Sequence, residues 1–250
     1  MQAYIASTIP VTLDWSGRNS FVVFFGGCDF RCRYCFVPQF LDFKNEYLVD
    51  LKEVKKAIKA GSQIVDNVLF TGGEPCLQRE ALVELARFCK KENLKVTLDT
   101  NATRTDTVEA LIKEKLVDNI NVDLKTPLAP EVFDRLTKSR TFFRSSEEII
   151  ASIKGTLDLL RKYQDKVFIE FKTVIIPSYI FKKEDLLQIA ELIKDFDARW
   201  VLQQFEPDGE RQLVDKNLMN ISPPTKKFME NLRDTCQKKY PGLRIDIRSS

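Results

Sequence analysis

No histidine occurs among the 250 residues of this chain. That absence removes Cys/His zinc sites, Ser-His-Asp triads and histidine general bases together. Glycine is scarce, with 9 residues, so a paired glycine marks a place where the backbone needs unusual freedom. No apolar run approaches the roughly 18 residues that a membrane span requires. Met1–Pro10 has no basic stretch followed by a long apolar one, so no secretory leader is expected. Repeats, low-complexity segments and obvious linkers are also missing. Residues 1–250 are therefore expected to form one domain, with a lead-in over 1–20, a core over 21–205 and a C-terminal helix with a possible closing strand over 206–250. A net charge of +3 permits a nucleic-acid partner without arguing for one.

What the chain does have is a concentration of thiols. Three of its six cysteines, Cys28, Cys32 and Cys35, fall in a C-x3-C-x2-C run directly after the apolar stretch Phe21–Phe25. Three thiolates at that spacing can hold three irons of a cubane and leave the fourth iron open to another ligand. A structural zinc site wants four ligands, and Cys76, Cys89 and Cys236 are isolated in the sequence. Clustered thiols without a leader point to a reducing compartment, the cytoplasm, and to metal binding rather than disulfides.

The hydrophobic pattern alternates between periods of about 2 and about 3.6 residues. Strands are expected at Phe21–Phe25, Asn67–Phe70, Leu94–Asp99, Asn119–Leu124, Val167–Ile176 and Arg199–Phe205. Between them fall helices over Leu51–Ala60, Gln78–Glu92, Asp106–Lys115, Pro130–Leu136, Glu147–Tyr163 and Lys183–Phe196, then Pro224–Lys239 and a closing strand at Leu243–Ile247. Ser145 to Glu148 has the form of a capping box opening the Glu147–Tyr163 helix. Such alternation predicts an α/β fold with an open parallel sheet. Six βα units are too few to close an eight-stranded barrel, so a partial (β/α)6 barrel is expected.

Polar and glycine residues collect where these strands end. Cys28, Cys32 and Cys35 follow the first strand and Gly72, Gly73 and Glu74 the second. Asp99, Thr100 and Asn101 end the third, Asp123 and Lys125 end the fourth, and Lys172 and Gln203 lie in the fifth and sixth. Within Ile120–Lys125, Asn121, Asp123 and Lys125 share one face. A polar inner face suits strands that line a pocket at the C-terminal end of the sheet. Cys76, next to that pocket, reads as a small buried thiol.

The cysteine run together with Thr71-Gly72-Gly73-Glu74-Pro75 resembles the radical SAM superfamily over the whole chain. That resemblance implies a [4Fe–4S] cluster on Cys28, Cys32 and Cys35, with S-adenosylmethionine on its open iron and cleaved reductively to a 5′-deoxyadenosyl radical. It implies further that Tyr34 or Phe36 packs on the adenine and that Gly72, Gly73 and Glu74 meet the methionyl amino group. Asp99, Asn101, Asp123, Lys125, Lys172 and Gln203 would complete the cofactor site.

Thr12-Leu13-Asp14-Trp15-Ser16-Gly17-Arg18, Val122-Asp123-Leu124-Lys125 and Leu202-Gln203-Gln204-Phe205 are most similar to the glycyl-radical-enzyme activases. Among these they resemble the activating protein of anaerobic ribonucleoside-triphosphate reductase. The resemblance implies a glycyl-radical enzyme as protein substrate, flavodoxin or ferredoxin as reductant, and a monovalent cation held by Asp99, Thr100 and Asp123. Two positions depart from the activase pattern, Phe36-Val37-Pro38 for His-Asn-Pro and Ser16 for proline. The alternatives are a radical SAM enzyme acting on a small molecule, like the deazaguanine carboxy-synthases, or one acting on an RNA base.

Overall fold

Strand β1 (Gln2–Leu13) runs antiparallel to β2 (Asn19–Phe25), and the short β3 (Leu48–Asp50) pairs antiparallel with the start of β1. From β2 onward every pairing is parallel, through β4 (Asn67–Gly72), β5 (Lys95–Thr100), β6 (Asn119–Asp123), β7 (Phe168–Ile175), β8 (Arg199–Gln204) and β9 (Arg244–Arg248). The sheet order is β3-β1-β2-β4-β5-β6-β7-β8-β9, open at both edges. The computed structural model describes residues 1–13, 17–141, 143–207 and 212–249.

Helices fill the connections between the parallel strands. They are α1 (Leu51–Gly61), α2 (Arg79–Lys91), α3 (Thr105–Lys113), α4 (Pro130–Thr137), α5 (Ser146–Lys162), α6 (Lys183–Ile193) and α7 (Lys226–Lys239). Their starts follow local chemistry. Asp50 accepts the Lys52 N–H ahead of α1, and Thr225 accepts the Phe228 N–H ahead of α7. Ser145 and Glu148 form the expected reciprocal capping box. Among the described residues no helix is long and apolar enough to cross a membrane.

The expected α/β partial barrel is present. Strands β2 and β4 to β8 are its six parallel members, and the anticipated closing strand is β9. Two further strands, β1 and the three-residue β3, had no counterpart among the expected elements; the apolar residues of β1 recur at every second position, but Ala3 and Ile5 are buried while Ile9, Val11 and Leu13 are exposed. The reason is visible in β1: its pairing with β2 shifts register between Ile5 and Ser7 and again between Ile9 and Thr12, so inward and outward positions change places along it. Asp14, Trp15 and Ser16 lie outside the described residues.

One face of the parallel strands is apolar. Val23, Phe70, Leu98, Ile120, Phe171 and Leu202 are all fully buried and pack with the inner stripes of the helices in one core. The other face is polar even where covered. At the N-terminal ends of the strands Asn67 Nδ2 donates to Ser20 Oγ at 2.8 Å, Thr97 Oγ1 to Asn67 Oδ1 at 3.0 Å and Asn119 Nδ2 to Thr97 Oγ1 at 3.3 Å. Further along, Glu170 is 2% exposed and ion-paired by Arg199 and Arg248. Each of these residues thus has a partner, and the inner face is built to carry polar side chains towards the strand ends.

Candidate active site

The strand ends open into a cavity of about 220 Å³, somewhat below the roughly 300–1000 Å³ of ligand pockets. Cys28, Cys32 and Cys35 line it with Tyr34 and Phe36 from the same loop. Gly72, Gly73 and Glu74 reach it from the end of β4, and Asp99, Thr100 and Asn101 from the end of β5. Asp123, Lys125, Lys172 and Gln203 contribute from β6, the residues just after it, β7 and β8. Every predicted site residue is therefore brought to one cavity. Phe30, Val37, Leu41 and Val174 add apolar wall that motif reasoning had not reached. Cys76 is 2% exposed and belongs to the core cluster instead.

The cysteine loop is held by the elements around it. Its entry passes under the β4 end, where Gly73 N–H donates to Phe25 O and Glu74 N–H to Gly27 O, both at 2.8 Å. Gly72 needs its φ of +113°, and a Cβ on Gly73 would lie 2.1 Å from the Gly27 oxygen. The two glycine pairs thus serve the close approach of one backbone to another. Further along, Arg31 N–H and Arg33 N–H donate to the Thr137 and Leu136 carbonyls at the end of α4, at 2.9 and 3.0 Å. A segment beyond β8 also reaches the loop: Asp215 N–H donates to Arg33 O at 2.8 Å, and the two side chains pair at 2.8 Å.

Glu74 does more than line the cavity. Its Oε1 accepts the Cys76 N–H at 3.0 Å and the Thr100 hydroxyl at 2.8 Å, and Oε2 accepts the Asn101 N–H at 2.6 Å. At 1% exposure this carboxylate staples the β4 end to the β5 end. Burial, then the nearby Asp29, push its pKa up to about 7 against the pull of those donors.

Just beyond, Ala102 takes a left-handed φ of 65° while fully buried, a conformation costing a non-glycine residue about 1–2 kcal/mol. The turn it makes brings Asn101 and Thr103 onto Asp29. Asn101 Nδ2 donates to Asp29 Oδ1 and Thr103 Oγ1 to Asp29 Oδ2, each at 2.7 Å. Neither Asp29 nor Thr103 was among the predicted site residues. The one available signal was an acidic residue placed between two cysteines.

Charged side chains form a second linked set. Asp99 Oδ1 accepts from Lys172 Nζ at 3.0 Å and from Asn121 Nδ2 at 2.6 Å, and Oδ2 from Thr71 Oγ1 at 3.3 Å. Lys125 Nζ donates to Asp123 Oδ2 at 2.7 Å and sits 5.9 Å from the centroid of the Tyr34 ring. Burial pulls the Lys125 ammonium down, and Asp123 with Tyr34 and Cys32 more than restore it, so it stays charged. Asp99 and Asp123 each carry a lysine and the Thr100 hydroxyl is turned onto Glu74, an arrangement that lends no support to a monovalent cation among these three. Burial raises all three thiols of the loop, Cys32 to about 12, so a metal must displace their protons on binding.

The radical SAM superfamily profile matches residues 22–196. The chain belongs to the radical SAM superfamily. It is 30% identical over 239 residues, 95% of this chain and 93% of the other, to a protein of Methanocaldococcus jannaschii provisionally named a glycyl-radical enzyme activating enzyme. It is 29% identical over 187 residues, 72% of this chain and 81% of the other, to the 7-carboxy-7-deazaguanine synthase of Clostridium acetobutylicum. Among solved structures, a radical SAM methyltransferase from Sphaerobacter thermophilus superposes with a TM-score of 0.65 over 98% of this chain and 77% of that one. At 14% identity that likeness shows the fold alone.

Membership of the radical SAM superfamily makes the chain an enzyme with a [4Fe–4S] cluster and S-adenosylmethionine as its cofactors. The residues present fit that pair. Among the described residues no three of His, Cys, Asp or Glu are set to hold one metal ion. A cubane asks something different, one thiolate for each of three irons around a shared cavity, and three thiols line this one. The same cavity offers two lysines for a carboxylate and buried acids beside glycine backbone for an ammonium group, as an amino-acid-bearing cofactor requires.

Proposed function

We propose that this radical SAM enzyme is a glycyl-radical enzyme activating enzyme, in which Cys28, Cys32 and Cys35 hold the cluster and a glycine of a partner protein is the substrate. With both cofactors bound and one electron from a donor such as flavodoxin or ferredoxin, the site would supply a 5′-deoxyadenosyl radical, with methionine as the other fragment, to take a hydrogen atom from that glycine. The chain's own residues bind and orient. Lys125 and Lys172 face the methionyl carboxylate, and the backbone of Gly72 and Gly73 faces the amino group, with Glu74 holding that backbone in place. Tyr34 and Phe36 pack on the adenine, and Asp99, Asn101, Asp123 and Gln203 border the rest of the cofactor. Phe30, Val37, Leu41 and Val174 keep water from the reacting atoms.

The observation that carries this reading is the gathering of the three loop thiols with the ends of β4 to β8 in one cavity. The activating function in particular draws support from the relative that spans 95% of the chain. We take the whole chain as one unit working in a reducing compartment such as the cytoplasm, with anaerobic ribonucleoside-triphosphate reductase as the partner to try first.

The test is anaerobic reconstitution with iron and sulfide, followed by strong reductant and S-adenosylmethionine. Slow 5′-deoxyadenosine release that quickens when the reductase is added, with a glycyl doublet in electron paramagnetic resonance, is the expected result. The synthase relative favours a second reading, in which a small molecule is the substrate. Under it, a deazapurine alone would accelerate 5′-deoxyadenosine release and no protein radical would form. A chain that takes up cluster yet cleaves no S-adenosylmethionine would overturn both.

A further inference from the structure

We propose that Asp29 is a positioning residue, a latch that joins the cysteine loop to the end of β5 and so sets the cluster ligands in register with the cofactor cradle. This rests on the reading that Cys28, Cys32 and Cys35 carry the cluster. Asp29 follows the first of these cysteines, and its two carboxylate oxygens are taken up separately by Asn101 Nδ2 and Thr103 Oγ1, each at 2.7 Å. Those donors converge because the turn between them is held from several sides. Thr103 N–H donates to Asn101 Oδ1 at 3.1 Å, Ala102 N–H donates to Thr100 Oγ1 at 3.1 Å, and Thr156 Oγ1 closes on Ala102 O at 2.8 Å.

The latch has a distinct place among the loop's attachments. Backbone bonds at Cys28, Arg31 and Arg33 fasten the loop to Leu41 and to the end of α4, neither of which belongs to a strand of the sheet. The Asp29 contact reaches β5, whose end Glu74 already joins to β4. The loop's entry is also bonded to the β4 end, by Glu74 N–H to Gly27 O, so with the Asp29 contact the thiols and the groups at Gly72–Glu74 and Asp99–Asn101 form one connected set. A carboxylate at position 29 is explained by the two hydrogen bonds it accepts.

The test uses D29A and D29N in the full chain. In the iron-free protein, hydrogen–deuterium exchange at Cys28, Arg31 and Arg33, all bonded amides, reports opening of the loop. D29A should exchange there about tenfold faster or more, since two hydrogen bonds to a charged group are lost. D29N should stay within about threefold of wild type. Its amide oxygen can still accept from Asn101, and its NH2 can donate to Thr103, whose proton is free to turn onto Asn101 Oδ1. After reconstitution, D29A should lose iron to a chelator about tenfold faster, followed by bleaching of the cluster absorbance, with D29N again near wild type.

Should D29A fail to fold by circular dichroism, T103V removes one of the two bonds from the other side, with an effect of about threefold on both rates. Equal exchange and equal iron loss in wild type, D29A and T103V would overturn the latch. Wild-type protein that takes up no iron would instead sink the cluster reading, and the iron-free exchange comparison alone would then decide whether the latch exists.

Discussion

A methyl on Gly73 would lie 2.1 Å from the Gly27 carbonyl oxygen and 3.1 Å from the Phe40 oxygen, both backbone atoms that cannot swing aside. Gly73→Ala must therefore push the cysteine loop off the β4 end, breaking the Glu74–Gly27 bond on the way. Overpacking of this kind costs about 1–3 kcal/mol, and the lost hydrogen bond adds about 1. Urea unfolding should show Gly73→Ala destabilised by about 3 kcal/mol, with iron uptake on reconstitution sharply reduced. Gly242→Ala is the control: nothing lies within 4 Å of its Cβ, and its stability should stay within about 0.5 kcal/mol of wild type. Comparable losses in the two variants would show that the glycine pairs have no special part in docking the loop. Residues at this scale were legible in unequal measure. Cysteines and glycines announce themselves by type and spacing, whereas Asp29 and Thr103 become site residues only because Ala102 turns the chain back between Asn101 and Thr103.

Between elements, the β5, β6 and β7 ends are stitched by Asp99, which holds Lys172 from β7 and Asn121 from β6. Lys172 is 7% and Asp99 16% exposed, so the pair is shielded from solvent. Removing one partner of such a pair costs about 3–5 kcal/mol, because a buried charge is left behind. Asp99 keeps Asn121 and Thr71 as donors, which places Lys172→Met near the low end, about 3 kcal/mol. The double variant Asp99→Asn, Lys172→Met discharges both and should recover most of that loss, to within about 1 kcal/mol of wild type. If single and double variants unfold alike in urea, the cost lies in lost packing rather than in the uncompensated carboxylate. This inner-face polarity is what made the parallel strands legible. Asn121 and Asp123 alternate with Ile120 and Val122, and the structure puts the first pair towards the cavity and the second in the core. Strand β1 also carries apolar residues at every second position, but across two register shifts Ala3 and Ile5 are buried while Ile9, Val11 and Leu13 are exposed, and its pairing with β2 joins residues that no short-range pattern connects.

Across the whole molecule, the site is fastened by the protein itself. The loop amides bond to Leu41, Leu136 and Thr137, and carboxylates tie the ends of β2, β4 and β5 together. Iron is therefore expected to settle into a prepared site rather than to organise the fold. Stripping the cluster with a chelator under anaerobic conditions should leave the far-ultraviolet circular dichroism unchanged. It should still lower the melting temperature, because a ligand that binds only the native state stabilises it by about 2.7 kcal/mol at a hundredfold excess over its dissociation constant. For a chain of 250 residues, each kcal/mol moves the midpoint by about 2–4 °C, so a drop of about 5–10 °C follows. Cys32→Ala, which removes one of the three proposed ligands, should melt at the stripped temperature whether or not iron is supplied. Loss of helix and strand signal on chelation would reverse the order of events, making the cluster a folding element and the hydrogen bonds at the strand ends its consequence.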